Sequence, residues 1–524
     1  LGLRHRGFDT AKGGPDRFKL FMSFSAMNRD GIAGIIDSSM GASAAFRWLA
    51  RLDYVDPARI GLTGHSMGTW SALTAAMENP SHAAVVLQCG EVEGPVLGTD
   101  GQPTIRNMLL LQARYDEFDY FRDYKLTVGG LNTTELRYKT FAGQDSPIDW
   151  NTTYGDFAEG TARGMQLLET VHRGVTHSPA GMAVAMDWFV SSLGVNTALD
   201  SSDQVFMVRE LLLGLALLIV VLSLLPLLNI LLATRFFASA ACAMPSRFVA
   251  PKKGRRRSVI GSVLLGGLLY PFVTQLGHGL FPYPKDIFRT LMAGGLILWL
   301  CTLALVSLFQ LSRWYRKGEG RQAGVTLYDL GLSFDTHKTR LDWNILGKTG
   351  LITLVMAGYL YTLVAAGYSL GTTDLRFIWP FLRPLTPGRA AQVVLYLPFF
   401  FFFFLVNGGA RLYGRLRLPE LSTPMRTQLY WWADSVVVML GGLFLVAAFE
   451  YVPFVMGFGT GWALLGLSLF DGPFMSALVL IVPQFFVLFF VSTYFFRKTG
   501  RVYLGSLVTA LIVSWITCGG AAFF

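Results

Sequence analysis

The five residues Gly64-His65-Ser66-Met67-Gly68 set a serine between two glycines. The strand-like run Arg59-Ile60-Gly61-Leu62-Thr63 leads in, and the alanine-rich, helix-like run Thr69 to Met77 leads out. Strand, G-x-S-x-G, helix is the order in which a sharp turn holds a serine hydroxyl out at the edge of a sheet. Small residues at 64 and 68 let strand and helix pass one another, and the amide after the serine is left to stabilise an oxyanion. Ser66 is thus the candidate nucleophile and the Met67 N–H one oxyanion donor.

A serine hydroxyl is a poor nucleophile near neutral pH. It needs a histidine to take its proton and an acid to orient that imidazole. In the order serine, acid, histidine the chain offers Asp116, in Arg114-Tyr115-Asp116-Glu117-Phe118, and His177, in Gly174-Val175-Thr176-His177-Ser178-Pro179. Asp116 is preferred to Glu117 and Asp119 because it comes first past the apolar strand Met108 to Gln112, although an Asp there could equally cap the next helix. His177 is preferred to His172 because a loop position lets the ring swing over the serine. His172 falls in an extended run, where a buried structural histidine is the plainer expectation. His65 reads as a motif residue pointing away from the serine, and His82 as a surface residue.

The elements that must position these residues alternate over the first 200 or so positions. A helix is expected at Asp37 to Leu52, strands at Ile60 to Thr63, Ala83 to Gln88 and Met108 to Gln112, a helix near Phe118 to Leu126, and a last helix from Pro179 to Leu193. Such alternation predicts a mostly parallel sheet covered on both faces. The polar stretch 132–163 is expected to be a lid or a surface insertion. Asn132-Thr133-Thr134 and Asn151-Thr152-Thr153 fit the glycosylation pattern.

The run Val55-Asp56-Pro57-Ala58-Arg59-Ile60-Gly61-Leu62-Thr63-Gly64-His65-Ser66-Met67-Gly68 resembles the segment entering the nucleophile elbow in α/β-hydrolases of the dienelactone hydrolase and prolyl-oligopeptidase-like group. The resemblance covers residues 1 to about 195 and implies an α/β-hydrolase fold, a Ser66-Asp116-His177 triad working through an acyl-enzyme, and no metal or organic cofactor. Thr69 stands where that family often has another glycine. The family also has strands ahead of the turn that Arg4-His5-Arg6-Gly7 resembles, so the front of the sheet, with the second oxyanion donor, is expected to be missing.

From Leu211 the solvent changes. Apolar runs occur at about 211–233, 258–281, 290–311, 349–371, 391–410, 429–449, 474–496 and 502–523. Each is near the ~20 residues a helix needs to cross a bilayer, so an all-α, multi-pass membrane domain of eight helices is expected over 206–524. The apolar, glycine-rich stretch 451–470 is expected to be re-entrant or interfacial, because a ninth span would reverse the basic segment 497–501. Ionisable or amide side chains expected inside the bilayer are His278, Asn407, Asp434 and Glu450.

Charge divides the chain in the same place. Residues 1–205 carry 17 Lys+Arg against 23 Asp+Glu, and 206–524 carry 27 against 11. In the second part 21 of the 27 fall in four alternate loops, 234–257, 312–348, 411–428 and 497–501. Topology explains that excess without nucleic acid as a partner, and it predicts a plasma-membrane protein whose first domain faces outward. Cys89, Cys242, Cys301 and Cys518 have no paired spacing, so neither a disulfide framework nor a zinc site is expected.

The expected function is a membrane-tethered extracytoplasmic serine hydrolase acting on a small-molecule or lipid ester or a peptide-like amide. The alternative is a transporter or lipid-handling protein whose outer domain binds rather than catalyses. Acyl transfer to an acceptor near the membrane would use the same triad while excluding water.

Overall fold

The computed structural model describes residues 39, 41–90, 105–118, 128–245, 251–280, 287–290, 293–371, 375–376, 381–467, 470 and 472–520. The expectations at residues 4–7, at Asp119 and over most of the 118–126 helix lie outside them. Two compact units result: one holds the described residues up to Met207 and those of Glu450–Ser476, and the other holds the described residues of Val208–Phe449 and those from Ala477 to Gly520.

The first unit begins with α1 (Ala42–Leu49), then β1 (Gly61–His65), α2 (Met67–Glu78), β2 (Ala84–Gln88), β3 (Met108–Tyr115), β4 (Thr153–Tyr154), β5 (Arg163–Val171) and α3 (Pro179–Leu193). The sheet order is β1-β2-β3-β5-β4, with the first four strands parallel and β4 antiparallel to β5. Apolar runs in β2 and β3 are what a strand needs when both of its faces are covered. Side chains alternate accordingly. Val85, Leu87, Met108, Leu110 and Met165 pack with Ala72 and Ala76 of α2. Ala84, Val86, Leu109, Leu111 and Leu168 pack with Trp188 of α3.

The stretch 132–163 is neither a lid nor a simple insertion. Phe141 and Ile148, together with Leu131 just before it, are buried in the α2-side core, so this segment is part of the cover of the sheet. His82 is also not on the surface: it is fully buried, with one ring nitrogen 2.9 Å from Asn79 O and the other accepting from Arg106 N at 2.9 Å.

The second unit contains most of α4 (Phe206–Leu222), α5 (Leu224–Ala233), α6 (Lys252–Leu280), α7 (Ala293–Lys317), α8 (Trp343–Gly371), α9 (Pro387–Leu405), most of α10 (Pro424–Val455) and of α11 (Gly472–Thr499), and α12 (Tyr503–Gly520). Among the described residues eight helices are long and apolar enough to cross a membrane, α4 with α5 counting as one, and the protein is an integral membrane protein. Among the described residues of 451–470 there is no further helix of that length.

Asp434 is ion-paired with Arg255. Arg411, which its sequence position assigns to a basic loop, is instead buried. A π-helical continuation of α9, Val406–Arg415, carries it inward, where it donates to Ser262 Oγ at 2.6 Å and Ser307 Oγ at 3.3 Å.

Asn107 fastens the sheet at the edge where β2 and β3 begin. Its φ of 41° is one that asparagine tolerates better than most residues. Its side chain donates to Ala83 O and Phe157 O, both at 3.1 Å, and accepts from Ala162 N at 3.3 Å. Asn107→Ala removes these bonds and leaves buried groups without them, so a loss of about 3 kcal/mol is expected, read as a lower thermal unfolding midpoint of the detergent-solubilised protein.

Candidate active site

Three residues follow directly on the carboxyl ends of parallel strands: Ser66 after β1, Asp116 after β3 and His172 after β5. This is the edge of an open parallel sheet where sites form. β1 and β5 stand three strand spacings apart, roughly 14 Å at ~4.8 Å each. The turn after β5 spans that gap by folding back over the ends of β3 and β2. The His172 ring lies 4.7 Å from the His65 ring, centroid to centroid, and Cys89 Sγ, at the end of β2, lies 3.8 Å from His172 O.

Ser66 occupies the turn between β1 and α2 with φ 54° and ψ −122°, a conformation non-glycine residues rarely adopt. Its amide is anchored to Gln88 O at 2.9 Å, and its carbonyl accepts from Thr69 Oγ1 at 2.6 Å. A Cβ at Gly64 would fall 2.0 Å from Gly68 O, so the glycine at 64 is demanded by backbone. The expectation for position 68 needs correction, because a Cβ there would meet nothing within 4 Å. What position 68 contributes is its backbone, which occupies the space a side chain at 64 would need. Thr69 fits where a glycine was expected because Gly90 opposes it: a Cβ at 90 would lie 2.3 Å from the Thr69 side chain.

The acid and the imidazole meet, but the imidazole is not the expected one. Asp116 Oδ1 lies 2.8 Å from His172 Nδ1, both side chains being buried. His177 instead has its Nδ1 2.8 Å from Thr176 Oγ1. The reason is local: residues His172–His177 form a 3-10 segment, and five residues at ~2 Å rise carry position 177 roughly 10 Å past the end of β5. Asp116 Oδ1 also accepts from Phe118 N at 2.9 Å, so it caps its own turn while facing the histidine.

Two further residues hold His172 that the sequence reading set aside. His65 Nε2 donates to His172 O at 2.9 Å, and Glu117 Oε2 accepts from His172 N at 2.7 Å. The Phe118 ring packs on the imidazole at 4.3 Å. Nothing along the chain reveals that the turn after β5 packs against His65. Burial, with the adjacent His172 second, lowers the His65 pKa to about 3, so this ring stays neutral. Met67 opens α2, where the first amides of a helix have no intrahelical acceptor.

His65, Cys89 and His172 also each offer one donor atom, all within 4.8 Å of one another. Donors around tetrahedral zinc sit roughly 3.3–3.8 Å apart, so the set would have to contract by about 1 Å to close on an ion. Comparison with protein-family models, with curated proteins and with solved structures gives no match.

Two outcomes follow. Gly64→Ala is expected to cost at least about 3 kcal/mol, since backbone must move, while Gly68→Ala stays within about 1 kcal/mol of the native protein; thermal unfolding in detergent compares them. Burial first, and the neighbouring Asp116 second, push the Glu117 carboxyl up to about 8 from an ordinary 4.5, with Arg173 opposing and Tyr451 hydrogen-bonded to it. The folded state therefore keeps a proton that the unfolded chain releases. Stability falls as pH rises from about 4.5 to about 8 and levels off above, by at most ~1.4 kcal/mol per pH unit. Glu117→Gln, neutral throughout, lacks that decline, so its unfolding midpoint relative to the native protein should rise between pH 5 and pH 8.

Proposed function

We propose that the first unit is a serine hydrolase that cleaves an ester or a peptide-like amide, with Ser66 as nucleophile, His172 as general base and acid, and Asp116 as the carboxylate that orients it. The single observation that carries this reading is the hydrogen-bonded Asp116–His172 pair at the same sheet edge as a serine in a constrained strand-to-helix turn. With its Nδ1 proton held by Asp116, the ring presents Nε2 as the basic nitrogen.

Ser66 Oγ bonds to the substrate carbonyl carbon as its proton passes to His172 Nε2. The oxyanion is met by the Met67 amide, and the proton then goes to the departing alcohol or amine as its bond to the carbonyl carbon breaks. Water, deprotonated by the same Nε2, attacks the acyl-enzyme and releases the acid, returning the proton to Ser66. The unequal distribution of basic loops supports an outward-facing first unit in the plasma membrane.

A second reading rests on His65, Cys89 and His172. With Asp116 behind His172, the set resembles a carboxylate-backed ligand group for a soft divalent ion. The two readings use the same nitrogen of His172 and exclude one another.

One experiment separates them. In intact cells a membrane-impermeant fluorophosphonate should label the protein, labelling should vanish in Ser66→Ala and drop at least about 100-fold in rate in His172→Asn, and His177→Asn should stay near the native rate. A chelator should change nothing. Labelling that survives His172→Asn but not His177→Asn returns the base to His177, while loss of activity on chelation favours the metal reading. Labelling only in opened cells reverses the orientation.

A further inference from the structure

We infer that the substrate is an ester whose long acyl chain resides in the bilayer, and that Glu450–Ser476 is the interfacial segment that presents the site to it; this rests on the hydrolytic reading of Ser66, His172 and Asp116. The segment joins α10 to α11, two helices of membrane-crossing length, so connectivity places it at a membrane face. α10 has 32 residues, about 48 Å of helix against ~30 Å of hydrocarbon, and roughly a dozen residues therefore stand outside the core. After its end at Val455 the chain turns through Gly457 and Gly459, both at positive φ, into a short helical turn at Gly461–Leu464, and Glu450 Oε2 accepts from Trp462 N at 3.2 Å.

This segment belongs to the same compact unit as the sheet, and its polar contacts converge on the residues beside the acid and the base. Tyr115 and Glu117 flank Asp116, and Arg173 follows His172. Tyr451 donates its hydroxyl to Glu117 Oε1 at 3.2 Å, and Glu117's other oxygen holds the His172 amide. Tyr115 donates to Gly457 O at 3.3 Å and meets the Phe454 ring edge-on at 5.1 Å. Arg173 Nε donates to Ser476 Oγ at 2.9 Å.

The segment also bears an uncovered apolar surface. No charged residue lies between Tyr451 and Phe470. Val455 is 80% exposed and Phe458 65%, and Met456, Leu464 and Leu465 are exposed as well. An uncharged, apolar surface of this kind marks an interaction site. Its continuity with two membrane-crossing helices names the bilayer as what covers it. The ester group of an acyl lipid lies at that depth, and every methylene left in the bilayer adds to what holds the substrate there.

The full chain in phosphatidylcholine nanodiscs should be assayed on p-nitrophenyl palmitate, which partitions into the bilayer, and on p-nitrophenyl acetate, which does not. Palmitate should have the higher kcat/KM by at least about tenfold, and Phe458→Ser with Leu465→Ser should lower it about tenfold while leaving acetate turnover and fluorophosphonate labelling within about twofold. Acetate cleaved as well as palmitate, or a double variant that changes both esters alike, overturns the inference and leaves the hydrolase standing. If neither ester is cleaved and the probe does not label, the hydrolytic reading has failed and the inference falls with it.

Discussion

His172 is held through its Nδ1, one face of its ring, its amide and its carbonyl, and the candidate site depends on that constraint. Asp116 takes its Nδ1, Glu117 its backbone amide, His65 its carbonyl, and Phe118 one face of its ring. Fixing both the side chain and its peptide group settles the tautomer and direction of the ring, which is what the proposed proton transfer would require. The contacts come from residues that follow β3 or close β1, so they exist only because the sheet order brings those strand ends under the turn after β5.

That arrangement depends on packing that looks unrelated to chemistry. β2 and β3 are apolar on both faces, which forces covers on both, and α2 is one of those covers while also opening at Met67. The tight passage from β1 to α2 leaves no room for a side chain at 64, and Gly90 concedes space to Thr69 so that Thr69 Oγ1 can bond the Ser66 carbonyl. The constrained conformation at Ser66 is thus maintained by neighbours that over-determine it. In the membrane unit the same economy of polar groups applies: Arg255 answers Asp434, and buried Arg411 is met by Ser262 and Ser307.

Legibility in the sequence followed the range of the interaction. Gly64 and Ser66 could be picked out because the turn that needs them is five residues long. The two-faced sheet was readable from apolar runs in β2 and β3, and the eight membrane-length helices from about twenty apolar residues each. Asp116 was readable because it ends a strand. The choice between His172 and His177 was not, since both lie in the same short stretch and loop position was a weaker guide than the length of the 3-10 turn. His65, Cys89 and Glu117 were set aside for a related reason: each makes its decisive contact with a residue 55 to 107 positions away.

The sequence by itself determined the division into a mixed α/β part and a membrane part, the serine in its G-x-S-x-G turn and the acid at the end of β3, because each of these is written in periodicity or in a few adjacent residues. Only the tertiary structure decided which histidine meets that acid, that Arg411 is buried, and that Glu450–Ser476 joins the unit of the sheet. These depend on where distant strand ends and helix ends arrive in space, and a polypeptide's local pattern carries no record of the direction from which its partners come.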